Sequence, residues 1–413
     1  MGLFAPPEAL AAPAAPAALA APVAAQPAVV IRRIETFLYR AKISKPVVST
    51  ITSIDRRVAL LVRLEDSEGA CGWGEIYATM PAYGAEHRAN TVHKMLAGLL
   101  LGAPLASPAA CWQMLTQKTY AMMVQTGEHG PFSAAIAGID CALWDLFARR
   151  AGVPLWVLLG GVPGAVSGGV PGGAPRTLPV YASGLNPADG PAVVEASRAK
   201  GFRAFKQKIG FGDAIDSGNL QRIRAGMRAG EALMVDVNQG WSVAEALRMA
   251  PGLAAFDLAW VEEPLLADRP AHEWQQCAQA FAPLLAGGEN LMAEQFAAQS
   301  GWLGVIQPDV GKWGGVSAAW AVARAALAQG KRFCPHWLAS GIGLMTSAHL
   351  LAGAGGDGML EVDVNENPLR EVLAQPYPAL VEGAYGLSRR AGIGVEPDLV
   401  AASGWLEQHA QSA

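Results

Sequence analysis

Residues 233–241 read LMVDVNQGW and residues 260–265 read WVEEPL. In each, a short aliphatic or aromatic run closes on a carboxylate, Asp236 and Glu262, and the two are 26 residues apart. A four- or five-residue apolar run bounded by turn residues reads as a strand buried on both faces. The pattern continues in both directions. Upstream, FKQKIG at 205–210 puts Lys208 at a run's end, and an apolar run at 179–182 precedes it. Downstream, AGGEN ends on Glu289, IQPDVGKWGG carries Asp309, FCPHWLASG carries His336 and GMLEVD carries Glu361. From Lys208 to Glu361 the successive polar ends are 20 to 28 residues apart, with a helical stretch in each interval. A strand, a helix and two loops need about that many residues. Repetition of the unit therefore predicts an α/β chain with a parallel (β/α) barrel over 178–375, its polar strand ends gathered at one mouth.

The rest of the chain has a different texture. Runs at 30–39, 57–65 and 72–77 read as a meander of strands, and 87–101 and 131–151 read as helices. That order predicts an α+β domain over 29–165. Residues 160–177 are crowded with Gly and Pro and read as a linker, and 376–413 as a C-terminal segment packing back on the first domain. Residues 1–28 are dominated by alanine broken by proline, and read as a disordered tail. No basic residue precedes Arg32, so the charged start of a secretory leader is missing. The uncharged run from Ala9 to Ile31 is long enough for a bilayer, but its prolines and weak hydropathy argue against a span.

Composition narrows the function classes. Of 413 residues 52% are hydrophobic and 16% charged, so a large core is available. The 31 basic and 35 acidic side chains nearly cancel and form no long basic run, which speaks against nucleic acid or an anionic membrane surface as partner. Five scattered cysteines without a CxxC pair fit a reducing cytoplasm better than a disulfide framework or a zinc knuckle. No P-loop, GxSxG or GxGxxG is present.

The strand ends carry the chemistry. One acid at a loop start means little, but Asp236, Glu262 and Glu289 close successive runs in phase, so their carboxylates should crowd. Like charges at that range need a cation, and an all-oxygen set favours Mg²⁺ over zinc. Lys206 and Lys208 share one strand face because side chains alternate. Lys206 is expected to neutralise an anionic substrate and to lower the pKa of Lys208, which then serves as general base. Asp309 and His336 end consecutive strands, so a carboxylate–imidazole hydrogen bond is expected. Glu361 would donate a hydrogen bond if protonated, and Asn238 is placed against substrate. The loop GEIYATMPAYGAEHRA at 74–89 offers Glu75, Thr79, Tyr83 and Glu86. Closed over the mouth, with Tyr83 as a contact, it would suit a hydroxylated substrate. Trp313 is read as packing.

These motifs resemble the enolase superfamily, specifically the mandelate racemase/muconate lactonizing enzyme family, from about Val29 onward. AAIAGIDCALWDLFARRAGVPLWVLLGG at 134–161 resembles the helix leading out of that family's cap. The KxK of Lys206–Lys208, the DxN of Asp236–Asn238 and VEEP at 261–264 resemble its base motif and metal signature. The resemblance implies a modified (β/α)7β TIM-type barrel under an α+β capping domain. It also implies one Mg²⁺ per subunit on Asp236, Glu262 and Glu289, and a homo-oligomer acting on a small carboxylate. Three positions before the lysine of KWGG stands Asp309 instead of the Lys of the lactonizing enzymes. With His336 this resembles the mandelate racemase subgroup, which abstracts the proton α to a carboxylate. Dehydration of an acid sugar to a 2-keto-3-deoxy acid is the expected reaction. The alternatives are racemisation of a 2-hydroxy acid and, more remotely, a non-catalytic barrel kept as a scaffold.

Overall fold

The computed structural model describes residues 28–81, 83–160, 177–281, 283–292, 295–297 and 300–413. The alanine/proline-rich stretch, apart from Ala28, and the linker from 161 to 176 lie outside the described residues.

The N-terminal unit is an antiparallel sheet backed by helices. β1 (Val29–Val48) pairs with β2 (Ser53–Asp66), which pairs with β3 (Cys71–Ile76). After a helical stretch over 84–100 come two long helices, α1 (Pro108–Thr126) and α2 (His129–Arg150). α1 starts on a Ser107 side chain that accepts from the Ala110 N–H, has Pro108 in its first turn, and stops at Gly127 in the left-handed region. β3 lies directly on α2: a Cβ on Gly74 would fall 2.1 Å from the Gly138 oxygen, so only glycine permits the contact. α2 is the one helix among the described residues long and apolar enough to cross a bilayer, but 89% of its apolar window is buried inside the fold, as in a core helix.

Eight parallel strands make the second unit. They are β4 (Thr177–Leu185), β5 (Ala204–Lys208), β6 (Ala232–Asp236), β7 (Trp260–Glu262), β8 (Leu284–Gly287), β9 (Val305–Ile306), β10 (Arg332–Phe333) and β11 (Leu360–Asp363). Ladders run without a break from β4 to β10, and β11 pairs with β4 from the other side. The remaining seam is close as well: the Met359 N–H donates to Cys334 Sγ. The barrel interior is filled. Tyr181, Met234 and Trp260 interdigitate with Ala204, Ala286, Val305 and Cys334, large residues facing small ones around the ring.

Cap and barrel are tied at several points. The Thr50 hydroxyl, on the β1–β2 hairpin, lies 2.9 Å from the Val237 and Asn238 carbonyl oxygens. Arg57 of β2 ion-pairs with Asp363 of β11 at 2.6 Å, both buried. Two glycine-rich-loop helices, α3 (Gly315–Ala328) and α4 (Gly341–Ala354), pack beneath α2 and β3. Last, β12 (Leu406–Ser412) runs back to pair antiparallel with β1, giving the cap sheet the order β12-β1-β2-β3.

Candidate active site

Every strand end singled out in the sequence opens on one mouth. Ladder register sets Lys208 beside Asp236 and Asp236 beside Glu262. Lys208 Nζ is 2.5 Å from Asp236 Oδ2. Lys206 sits two residues deeper in the barrel and is fully buried. Its Nζ lies 2.6 Å from Glu262, 2.7 Å from Glu361 and 3.5 Å from Asp236. Burial pulls the Lys206 ammonium down, but Glu262 and Glu361 outweigh it and hold it well above the usual lysine range. Burial likewise pushes Asp236 up, and Lys208 and Lys206 together bring it below the usual carboxylate range. At Glu262 burial wins over Lys206, with Asp236 and Glu361 adding repulsion, and the group is pushed up to about 7.

A second group forms across the mouth. Asp309 and His336 are bridge partners of parallel strand ends, and His336 Nδ1 is 2.7 Å from Asp309 Oδ2. The Asp309 Oδ1 atom accepts from the Gly311 and Lys312 N–H groups, which fixes the carboxylate. His336 Nε2 is 2.6 Å from Glu289 Oε2. Burial works against the imidazolium, yet Glu289, Glu361 and the two hydrogen bonds hold His336 well above its ordinary value. The same contacts, with Lys312, hold Glu289 well below its own despite burial.

The cavity over these groups, about 710 Å³ including its open mouth, is lined by Lys208, Asn238, Glu289, Asn290, Lys312 and His336 from the barrel. The cap supplies Val47, Val48, Ile51, Ile54, Arg57, Tyr77, Thr79 and Met80. Several expectations need correction. Lys206 does not line the cavity; it lies behind Asp236 and Glu262 as their counter-ion, too deep to meet a substrate carboxylate first. Glu361, expected to donate if protonated, has acceptor contacts in this structure. It accepts from the Ser183 hydroxyl and the Trp337 N–H, and although burial pushes it up, Lys206 and His336 hold it below the usual carboxylate range. Tyr83 is 80% exposed and stands outside the cavity lining. Of the four polar groups singled out on that loop, Glu75 is buried against α4, Glu86 pairs with Arg40, and Thr79 reaches the cavity. Tyr77 on the same loop also lines the cavity, and Ser49, Thr52 and Arg57 are further polar groups of the cap wall. Trp313 packs, donating its Nε1–H to the Glu289 carbonyl. Tyr77, Arg57 and Lys312 were not singled out in the sequence; the KWGG motif was the one pointer to Lys312.

Asp236, Glu262 and Glu289 suit a hard divalent ion in their chemistry. Among the described residues no three acid, imidazole or thiol groups yet form a finished metal cage. Ammonium groups stand where a cation belongs, Lys206 bridging Asp236 and Glu262 and Lys208 on Asp236. Asn238 Oδ1, buried beside Asp236, has no hydrogen-bond partner, an oxygen of the kind Mg²⁺ accepts. The donor set therefore fits Mg²⁺.

Comparison with known proteins places these features. Residues 33–160 match the model of the mandelate racemase/muconate lactonizing enzyme N-terminal domain, and 191–401 that of the enolase C-terminal domain-like family. The chain is 32% identical over 377 residues to the 3,6-anhydro-alpha-L-galactonate cycloisomerase of Streptomyces coelicolor, covering 89% of this chain and 97% of that one. It is 29% identical over 306 residues to the D-galactonate dehydratase of Ralstonia nicotianae, covering 70% and 74%. Among solved structures, a mandelate racemase/muconate lactonizing enzyme from Bordetella bronchiseptica RB50 superposes with a TM-score of 0.83 at 44% identity, covering 91% of this chain and 99% of that one. A Streptomyces coelicolor racemase with bound magnesium gives 0.79 at 30%, covering 92% and 100%.

Proposed function

The chain belongs to the mandelate racemase/muconate lactonizing enzyme family of the enolase superfamily, and from that premise we propose that it dehydrates an acid sugar. The proton α to the carboxylate is removed, the β-hydroxyl leaves as water, and the enol becomes a 2-keto-3-deoxy acid. The observation that carries this reading is that Lys208 and His336 line one cavity from β5 and β10, two sides of the mouth separated by β11 and β4. A base on one side and an acid on the other is what the elimination needs.

Lys208 takes the α-proton. The neutral amine is the form that does so, and the ion-pair partner of Lys208 in this structure is Asp236. Asp236 belongs, with Glu262 and Glu289, to the set that would hold Mg²⁺. When bound, that ion supplies Lewis acidity toward the substrate carboxylate. His336 is oriented by Asp309 through Nδ1, and as an imidazolium it passes its Nε2 proton to the departing hydroxyl. Asp309 keeps the ring oriented through this Nδ1 contact.

One observation favours a second reading. Five of the cap residues that line the cavity, Val47, Val48, Ile51, Ile54 and Met80, are apolar, which suits a 2-hydroxy acid with an apolar end. With no β-leaving group, the same two side chains would exchange the α-proton between faces and racemise it.

Incubation in ²H₂O with Mg²⁺ and a panel of hexonates, hexarates and 2-hydroxy acids tests both. We expect deuterium at the α-carbon of at least one acid, a 2-keto-3-deoxy product from a polyhydroxy acid, and no product from His336→Asn. Lys208→Met should lose exchange on its face. Inversion of an apolar acid without elimination would move the assignment to the racemase reading. Absence of both exchange and product across the panel would remove the function.

A further inference from the structure

Lys312 stands in the site without a role in the scheme above. It is buried, lines the cavity, and follows the Asp309 turn at the end of β9. Its Nζ lies 3.1 Å from Glu289 Oε2 and 3.2 Å from Asn290 Oδ1. The cap completes its seat, for the Tyr77 ring centroid is 4.7 Å from the same Nζ. Tyr77 is itself anchored on this turn, its N–H donating to the Gly311 carbonyl at 3.1 Å. A side chain at Gly311 would strike Trp337 and the Tyr77 nitrogen, so the close approach of cap and turn depends on that glycine. The ammonium is thus fixed by two oxygens from adjacent barrel residues and by a ring from the cap.

Its charge matters because the mouth is crowded with acids. Asp236, Glu262, Glu263, Glu289, Asp309 and Glu361 are all buried here, facing three lysines and one histidine. A substrate carboxylate that enters beside Glu289 meets that charge, which Lys312 offsets.

We infer that Lys312 is a further functional residue of the site, a cation seated by the Tyr77 ring that offsets the charge of Glu289. It thereby weakens metal binding and strengthens binding of the anionic substrate. This rests on the proposed function, since it takes the occupants to be a divalent cation and a carboxylate. Lys312 acts through Glu289 and the local field, so it is a positioning residue, not a proton carrier.

The signature is a pair of opposite changes. Lys312→Met removes a positive charge within 3.1 Å of a metal-facing oxygen. Titration of metal-free protein with Mg²⁺ alone, followed by calorimetry, should show affinity rising about tenfold. The KM for the acid of the panel that exchanges its α-proton fastest should rise by about the same factor at saturating Mg²⁺. Lys312→Arg should restore both. Tyr77→Leu, which removes the ring, should move both values in the Lys312→Met direction by less. A merely structural lysine would give weaker binding of Mg²⁺ and acid together, and that result overturns the inference. So do two unchanged constants in Lys312→Met. If the wild-type protein exchanges no α-proton at all, the proposed function has failed and the inference falls with it. Exchange by wild type with unchanged constants in the variant refutes the inference alone.

Discussion

Substituting Glu75 by Gln should abolish the pH dependence of one link between cap and barrel. Glu75 leaves β3 and enters the N-terminal end of α4. Its oxygens accept from the Ser340 N–H at 2.8 Å, the Ser340 hydroxyl at 2.7 Å and the Gly343 N–H at 2.9 Å. Burial pushes the carboxyl from 4.5 up to about 7, against those three hydrogen bonds, which favour the ionised form. A carboxyl raised on folding binds its proton more tightly in the folded chain than in the unfolded one. Its contribution to stability is therefore complete below pH 4.5 and is lost as pH rises through about 7. At 1.36 kcal/mol per pH unit, this removes about 2–3 kcal/mol between pH 5 and pH 8. Gln cannot titrate, so it escapes that loss. It carries instead a constant penalty of about 1–3 kcal/mol, because its amide N–H₂ meets donors where an acceptor is required. Urea unfolding in EDTA at several pH values should therefore show Glu75→Gln less stable than wild type at pH 5, with the gap closing by pH 8. A gap that stays constant or widens with pH would refute the reasoning.

Two more substitutions probe the charge network. Lys206→Met leaves Glu262 and Glu361 buried without their counter-ion, so the metal-free protein should lose about 3–5 kcal/mol in urea unfolding, part of it recovered by Mg²⁺; an unmoved midpoint would mean that Lys206 is not their partner. Asp309→Asn keeps an acceptor for the Gly311 and Lys312 N–H groups but takes the negative charge from His336 Nδ1. Turnover should fall roughly 100-fold or more, and the ring should titrate at lower pH by NMR; an unshifted titration would dissociate the pair.

The strand-end residues were readable because a (β/α) barrel returns one polar position to the mouth in each repeat. The Asp309–His336 bond followed from consecutive strands for the same reason. Depth was not readable. Alternation puts Lys206 and Lys208 on one face, but two residues along a barrel strand separate a cavity wall from a closed interior, and Lys206 is on the inner side. Long-range docking was not readable either. Glu75 looked like a loop group near substrate because nothing in its neighbourhood announces Ser340 and Gly343, more than 260 positions away. Tyr77 and Lys312 meet only once the cap has closed on the Gly311 turn, so neither residue stood out alone. Arg57 was hidden likewise, its partner Asp363 lying on the last barrel strand.

The return of β12 to the edge of β1 bears on the order of synthesis. A ribosome makes β1, β2, β3 and α2 early, but the strand that flanks β1 is made only after the whole barrel. Throughout elongation the nascent cap carries an open edge, with the backbone groups from Ile34 to Tyr39 waiting for residues 406–412. A chain stopped before Leu406 would keep its complete set of barrel strands and still present that edge to any neighbouring polypeptide. Self-association of such truncated chains would then arise in the cap, far in sequence from the residues removed.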